Sequence, residues 1–188
     1  RLSVSVLYRN FDRDYIHFMV NPFRESNARN EKGLYFGTEA KISKSLRLSG
    51  YFDSFTFPWL RYQVDAPSSG IDYLAQLNYK PSKKLEMYVR YKQEIKDRNG
   101  KPEMIDTSSS GFIEINYGIY DGLKEIVPTN SQYTRYHISY KVSDAVTFKN
   151  RIQYNKYQLG NNTASDGYLI YQDVIYHLHK NGNRANHP

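Results

Sequence analysis

Hydrophobic and polar residues alternate along most of this chain. In PSKKLEMYVRYKQEIK, residues 81–96, Leu85, Met87, Val89 and Tyr91 share one parity, and Glu86, Tyr88, Arg90 and Lys92 the other. Successive side chains of a strand point to opposite faces, so this stretch is a strand with one apolar and one charged face. The same pattern predicts strands near 1–10, 33–43, 46–57, 70–81, 84–97, 132–142, 145–158 and 167–179, with a weaker one near 110–120. Helical periodicity is scarce. Most of these segments reach ten residues or more. Strands of soluble proteins are usually about 5–6 residues long, whereas a strand that crosses a bilayer needs about 9–11.

The alternation alone fits two architectures. In a soluble sandwich the apolar parity faces a core and the charged parity faces water. In a membrane barrel the apolar parity faces lipid and the charged parity a lumen. The connections favour the barrel. SKS at 43–45, PSKK at 81–84 and VSDA at 142–145 are very short, whereas 11–32, 58–69, 98–131 and 159–166 are long and polar. Short and long connections alternate, as do the inner turns and outer loops of outer-membrane barrels. The rhythm survives if 98–131 is one outer excursion with an extra local hairpin, which leaves about eight spanning strands.

Composition of the two parities points the same way. Aliphatic residues such as Leu77, Val89 and Ile152 sit towards strand centres, and tyrosines such as Tyr79, Tyr154 and Tyr168 towards strand ends. Amphipathic rings favour the headgroup level. On the opposite parity, Glu39, Arg47, Asp72, Glu86, Arg90, Lys92, Lys149 and Arg151 mix both signs and are expected to face the lumen. Few charges fall on the apolar parity, where one at the bilayer midplane costs about 2–4 kcal/mol.

Bulk composition narrows the classes further. At 188 residues the chain holds one domain, and no apolar run approaches a spanning helix. Mean hydropathy is −0.74. There are 19 Tyr, 9 Phe, one Trp and no Cys, which removes disulfides and thiolate metal sites. The net charge of +7 suits acidic polymers or anionic headgroups, but it is spread along every segment. The chain opens in strand-like alternation at RLSVSVLY, without a signal-peptide pattern, so a piece of a longer protein is expected.

Two linked segments carry a family resemblance. The first contains Phe57, Pro58, Trp59, Leu60, Arg61, Tyr62, Val64, Ala66, Pro67, Gly70, Asp72 and Tyr73; the second contains Tyr79, Pro81, Leu85, Glu86, Tyr88, Arg90, Tyr91, Glu94, Lys96 and Asn99. Residues 55–100 so constituted resemble the C-terminal β-barrel region of Bacteroidota helix-hairpin-helix (ComEA-like) outer-membrane proteins. NEKGLYFGTE at 30–39 and GYLIYQDVIY at 167–176 fit more weakly. The resemblance implies an outer-membrane β-barrel in a Bacteroidota-type envelope. DNA binding by the family's separate helical part does not carry over to these residues, and no nucleic acid is expected here. The chain closes on KNGNRANHP, without a terminal strand ending in an aromatic residue, so the eight strands are expected to be part of a larger barrel.

Catalytic motifs are missing: there is no G-x-S-x-G, Walker loop or dinucleotide fingerprint. His177 and His179 share a strand face at the right spacing for a metal, but a strand end more often holds such residues as plain polar groups. Trp59 and Arg61 in FPWLRYQVDAP are candidate outer-loop binding residues, by stacking and ion pairing. The plainer reading places Phe57 and Trp59 in the outer interfacial belt. Asp65, Arg61 and the basic residues of the lumen are alternatively a ring of charge that sets pore selectivity.

The sequence therefore predicts an all-β, antiparallel up-and-down transmembrane β-barrel or barrel fragment over 1–188. Its expected role is non-enzymatic, as a pore or docking partner in the bacterial outer membrane. No cofactor or metal is expected. The expected partners are outer-membrane lipid, lipopolysaccharide and other envelope proteins. The alternative is a soluble antiparallel β-protein that binds acidic polymers through Tyr, Lys and Arg.

Overall fold

A computed structural model of the chain describes residues 1–15, 29–100, 103–107, 112–116 and 124–177. Ten strands form: β1 (Leu2–Phe11), β2 (Glu31–Lys41), β3 (Leu46–Phe57), β4 (Ser68–Tyr79), β5 (Leu85–Asn99), β6 (Glu103–Thr107), β7 (Phe112–Asn116), β8 (Ile126–Lys141), β9 (Val146–Leu159) and β10 (Ser165–Tyr176). Eight of them build one antiparallel up-and-down sheet in the order β1-β2-β3-β4-β5-β8-β9-β10, and β6 pairs with β7 in a separate hairpin. No helix occurs among the described residues. The sheet is open: among the described residues β1 pairs with β2 alone and β10 with β9 alone.

The predicted strands are present, with most boundaries close to those expected and one displaced further. β8 begins at Ile126, not near 132. Residues 126–131 alternate poorly, yet they continue the ladder with the long β5, from Asn99↔Ile126 inwards. Backbone pairing with an existing strand fixes them without a hydrophobic pattern of their own.

The short connections are held alike. Ser43 Oγ accepts from the N–H of Ser45 and Leu46 at 3.2 and 3.1 Å, and Ser82 Oγ accepts from Lys84 and Leu85 at 3.2 Å each. Ser143 Oγ accepts from Val146 N–H at 3.1 Å. A serine hydroxyl that takes up turn amides fixes a tight reversal, and the tight reversal fixes the register.

Register carries each parity across the sheet. One row runs Leu2, Ala40, Leu48, Leu77, Val89, Tyr136, Ile152, Ile170, with one residue from each strand. This apolar face is open to the surroundings, with Leu77 41%, Val89 46% and Ile152 49% exposed. Its first charged residues, Lys32, Asp97, Lys156 and Asp166, all lie towards the long-connection end. Uncharged amides interrupt it at two register pairs, Asn150↔Gln172 and, nearer the long connections, Gln93↔Gln132.

The buried residues sit on the other face. Among non-glycine strand residues Arg9, Glu31, Phe55, Phe57, Ser68, Asp72 and Thr129 are buried on the polar face, and Gln93 alone is buried on the apolar one. All lie towards the long-connection end. The packed part of the molecule is thus one end of the polar face, where the connection 58–67 folds over it with Val64 buried.

Candidate functional site

The polar face is built in tiers that cross the strands. Nearest the long connections, Arg9 of β1 reaches across β2 to β3. Its guanidinium donates to Glu31 and, through both terminal nitrogens, to Asp53 at 2.8 and 3.0 Å. Glu31 is 0% and Arg9 4% exposed. The reach is possible because β2 carries Gly33 at the crossing. A Cβ there would lie 2.6 Å from Arg9 Cζ. Gly33→Val therefore displaces the guanidinium, and a loss of about 1–3 kcal/mol is expected in denaturant unfolding. Gly70 has the same role beneath the ring of Phe55, 2.5 Å from where its Cβ would stand.

Asp53, Asp72 and Glu94 are consecutive register partners, so three carboxylates stand side by side. Like charges directly opposite one another are destabilising. Each is met by a cation: Asp53 by Arg9, which it shares with Glu31, Asp72 by Lys92 at 2.9 Å, and Glu94 by Lys96. Tyr51 Oη also donates to Asp72, at 3.0 Å. Every carboxylate of this outer tier thus has a cationic partner.

The tier below differs. One row reads Glu39, Ser49, Gln76, Arg90, Arg135, Gln153, and the next Lys41, Arg47, Asn78, Tyr88, His137, Arg151, Tyr171. Five basic residues face one acid, and that acid, Glu39, pairs loosely with Arg47 at 3.6 Å. Arg90 and Arg135 donate Nε to the amide oxygens of Gln76 and Gln153, not to carboxylates.

The connection between β3 and β4 completes the outer end. Asn30 clamps Trp59 from both sides: its Nδ2 donates to the Trp59 carbonyl at 2.8 Å, and Trp59 N–H donates to Asn30 Oδ1 at 2.9 Å. Arg61 and Val64 exchange backbone hydrogen bonds at 3.0 Å, with Gln63 between them at φ 60. Arg61 Cζ lies 3.5 Å from the Phe57 ring centroid, and Arg13 Cζ 5.2 Å from that of Trp59.

No family model, curated protein or solved structure matches this chain.

All eight charged residues expected to share one parity, Glu39, Arg47, Asp72, Glu86, Arg90, Lys92, Lys149 and Arg151, lie on the polar face. They stand at different levels of that face. Asp72 and Lys92 belong to the paired tier, Arg90 and Arg151 to the cationic one, and Glu86 is held by Lys80 at 2.8 Å near a short turn. Trp59 and Arg61 lie in the outer connection, and Trp59 is exposed. The placement of Phe57 in an outward belt is corrected. It stands on the polar face, 1% exposed beneath Arg61, because β3 continues its alternation beyond the apolar band. His177 closes β10, where its N–H donates to the Ala145 carbonyl at 2.8 Å; His179 lies outside the described residues. Among the described residues no three His, Asp or Glu side chains are grouped to hold a metal.

Arg9 and Glu31 escaped the sequence reading. Arg9 is one charge in a strand otherwise read as apolar and small, and its partners lie 22 and 44 residues away. Gly33, a glycine inside a strand, was the available signal, since such a residue marks a close approach.

Proposed function

We propose that this chain forms part of a non-enzymatic β-barrel of a bacterial outer membrane, acting as a pore or as a docking partner in an envelope complex. The observation that carries the reading is the inverted distribution of side chains. Aliphatic and aromatic residues of all eight strands are presented outward, while carboxylates and guanidinium groups are buried against one another on the opposite face. Soluble proteins rarely expose a contiguous apolar surface of this kind.

Two further features support it. The first is the extent of the apolar face. On β9 it runs from Val146 to Tyr154 and on β10 from Tyr168 to Tyr176. Each is roughly 26 Å of strand at ~3.3 Å per residue, or about 21 Å of height at a tilt near 35°, of the same order as the ~25 Å apolar band of membrane barrels. The second is stagger. Lys41, before the first short turn, shares a register row with His137 of β8, whereas Lys141, before the equivalent later turn, lies four residues beyond His137. Four strand-to-strand steps separate β2 from β8. Placing both turns at one level tilts the strands by roughly 35°, taking ~3.3 Å per residue and ~4.8 Å between strands. Strands of membrane barrels tilt by about 35–45°.

The expected result is that the full-length protein partitions into outer-membrane fractions, needs detergent for extraction, and migrates differently on gels with and without boiling. A protein that stays monomeric and soluble without detergent overturns the reading. The net charge of +7 and the arginine-rich tier favour a second reading, a soluble binder of acidic polymers. That one requires binding to DNA or heparin that weakens steeply with salt.

A further inference from the structure

The inner tier of the polar face holds a cationic cluster that the fold itself does not neutralise. Arg90 and Arg135 are direct register partners, and Arg151 is diagonal to Arg135 through the pair His137↔Arg151. Direct partners stand about 5 Å apart at Cβ and diagonal ones about 7 Å, so the three arginines share one patch of the face, with Arg90 Nε turned to Gln76 of β4 and Arg135 Nε to Gln153 of β9. None of them has a carboxylate within salt-bridge distance among the described residues. Arg151 Nε is buried without a hydrogen-bond partner. The nearest acids are taken or offset: Glu86 is bound by Lys80 at 2.8 Å, and Asp173 is the register partner of Lys149.

The outer tier is built differently. There, three neighbouring carboxylates each have a cation, so this sheet builds compensating pairs where it places like charges together. In the inner tier it leaves three neighbouring guanidinium groups on amides and rings. Arg90 Cζ lies 5.5 Å from the Tyr88 ring centroid, Arg135 Cζ 5.4 Å from that of Tyr133, and Arg151 Cζ 4.9 Å from that of Tyr171. Rings hold a guanidinium plane in place while leaving donors on its edge unused. Directly opposed like charges cost stability, and a multiply charged oxyanion in their midst reverses that cost.

We propose that Arg90, Arg135 and Arg151 form a binding station for a water-borne oxyanion of the phosphate or pyrophosphate type. Guanidinium forks match such oxygens bidentately. The site lies on the face opposite the exposed apolar belt, so its occupant is a solute and not the headgroup of a surrounding lipid. This deepens the barrel reading by giving its lumen a ligand class.

The test titrates inorganic pyrophosphate into the full-length protein in detergent and follows the thermal unfolding midpoint. Wild type is expected to shift upward by several degrees. Arg135→Gln is expected to raise the half-saturating concentration roughly tenfold, as loss of one charge-assisted contact does. The double variant Arg90→Gln/Arg135→Gln is expected to lose the response while unfolding, without pyrophosphate, no earlier than wild type. Lys32→Gln, on the other face, is the control for overall charge and keeps the full response. An unresponsive wild type, a double variant that responds like wild type, or an equal loss in the Lys32 control overturns the proposal. Boiled and unboiled gels report the barrel separately. A heat-modifiable protein without a pyrophosphate response removes the station and leaves the barrel. A response from a protein that is not heat-modifiable removes the barrel and leaves the station.

Discussion

Val89→Arg is expected to abolish the heat-modifiable form of the protein and its recovery from outer membranes. Val89 lies near the middle of the apolar row, flanked in register by Leu77 and Tyr136. An arginine at the midplane of a barrel's outer face costs about 2–4 kcal/mol, a large share of the roughly 5–15 kcal/mol that holds a typical domain folded. Asp97→Arg is the matched control. It also introduces an arginine on β5 and on the same face, but beyond the belt, so insertion is expected to survive. The pair separates the two environments open to an exposed face. If that face meets water, Val89→Arg is a surface substitution worth within about 0.5 kcal/mol, and both variants behave like wild type. Quantitative recovery of both from the membrane fraction, checked by extraction and unboiled gels, is the comparison that decides.

Arg9→Ala is expected to be the most destabilising single change at the outer end. It removes the guanidinium that Glu31 and Asp53 share, and both Arg9 and Glu31 are buried. Breaking a buried ion pair by deleting one partner costs about 3–5 kcal/mol, because the remaining charge keeps its desolvation penalty without its counter-charge. Arg13→Ala removes an ion pair with Asp14 at 3.3 Å in which both side chains are largely exposed. Such a pair is worth about 0–1 kcal/mol. Denaturant titration in detergent is expected to separate these two arginine deletions clearly. Equal midpoints would mean that the Arg9 cluster is as wet as the surface.

Much of the fold could be read from the one-dimensional pattern. Alternation located the eight sheet strands because each is long and keeps one parity apolar, and the serine turns after Lys41, Lys80 and Lys141 are too short to leave the register ambiguous. Once register is fixed, the faces follow, which is why Leu77, Val89 and Ile152 fall in one row. What stayed hidden depends on two-dimensional neighbourhood. Arg9 meets Asp53 only after two hairpins have folded. The charged parity reads as a mixture along the chain because Asp53, Asp72 and Glu94 come from three strands, and so do Arg90, Arg135 and Arg151. The sheet sorts them by level. Phe57 was misplaced for a related reason: parity says which way a ring points, but not what lies above it, and the cover supplied by Arg61 and Val64 comes from an irregular connection.

The two margins of the sheet have a consequence of their own. Along β1 and β10 the backbone amides and carbonyls that point away from β2 and β9 have no strand beside them among the described residues. In hydrocarbon each peptide group left in that state costs several kcal/mol, so an arc with two raw rims is not admissible there; only a complete hoop is. Under the proposed setting, whatever zips onto those rims is as indispensable as the strands in view. In that setting the total number of staves, those in view and any that join them, fixes the circumference, since barrel diameter grows roughly linearly with strand count. It therefore also fixes how far the arginines of β5, β8 and β9 stand from the opposite wall, and so the size of anything that passes between.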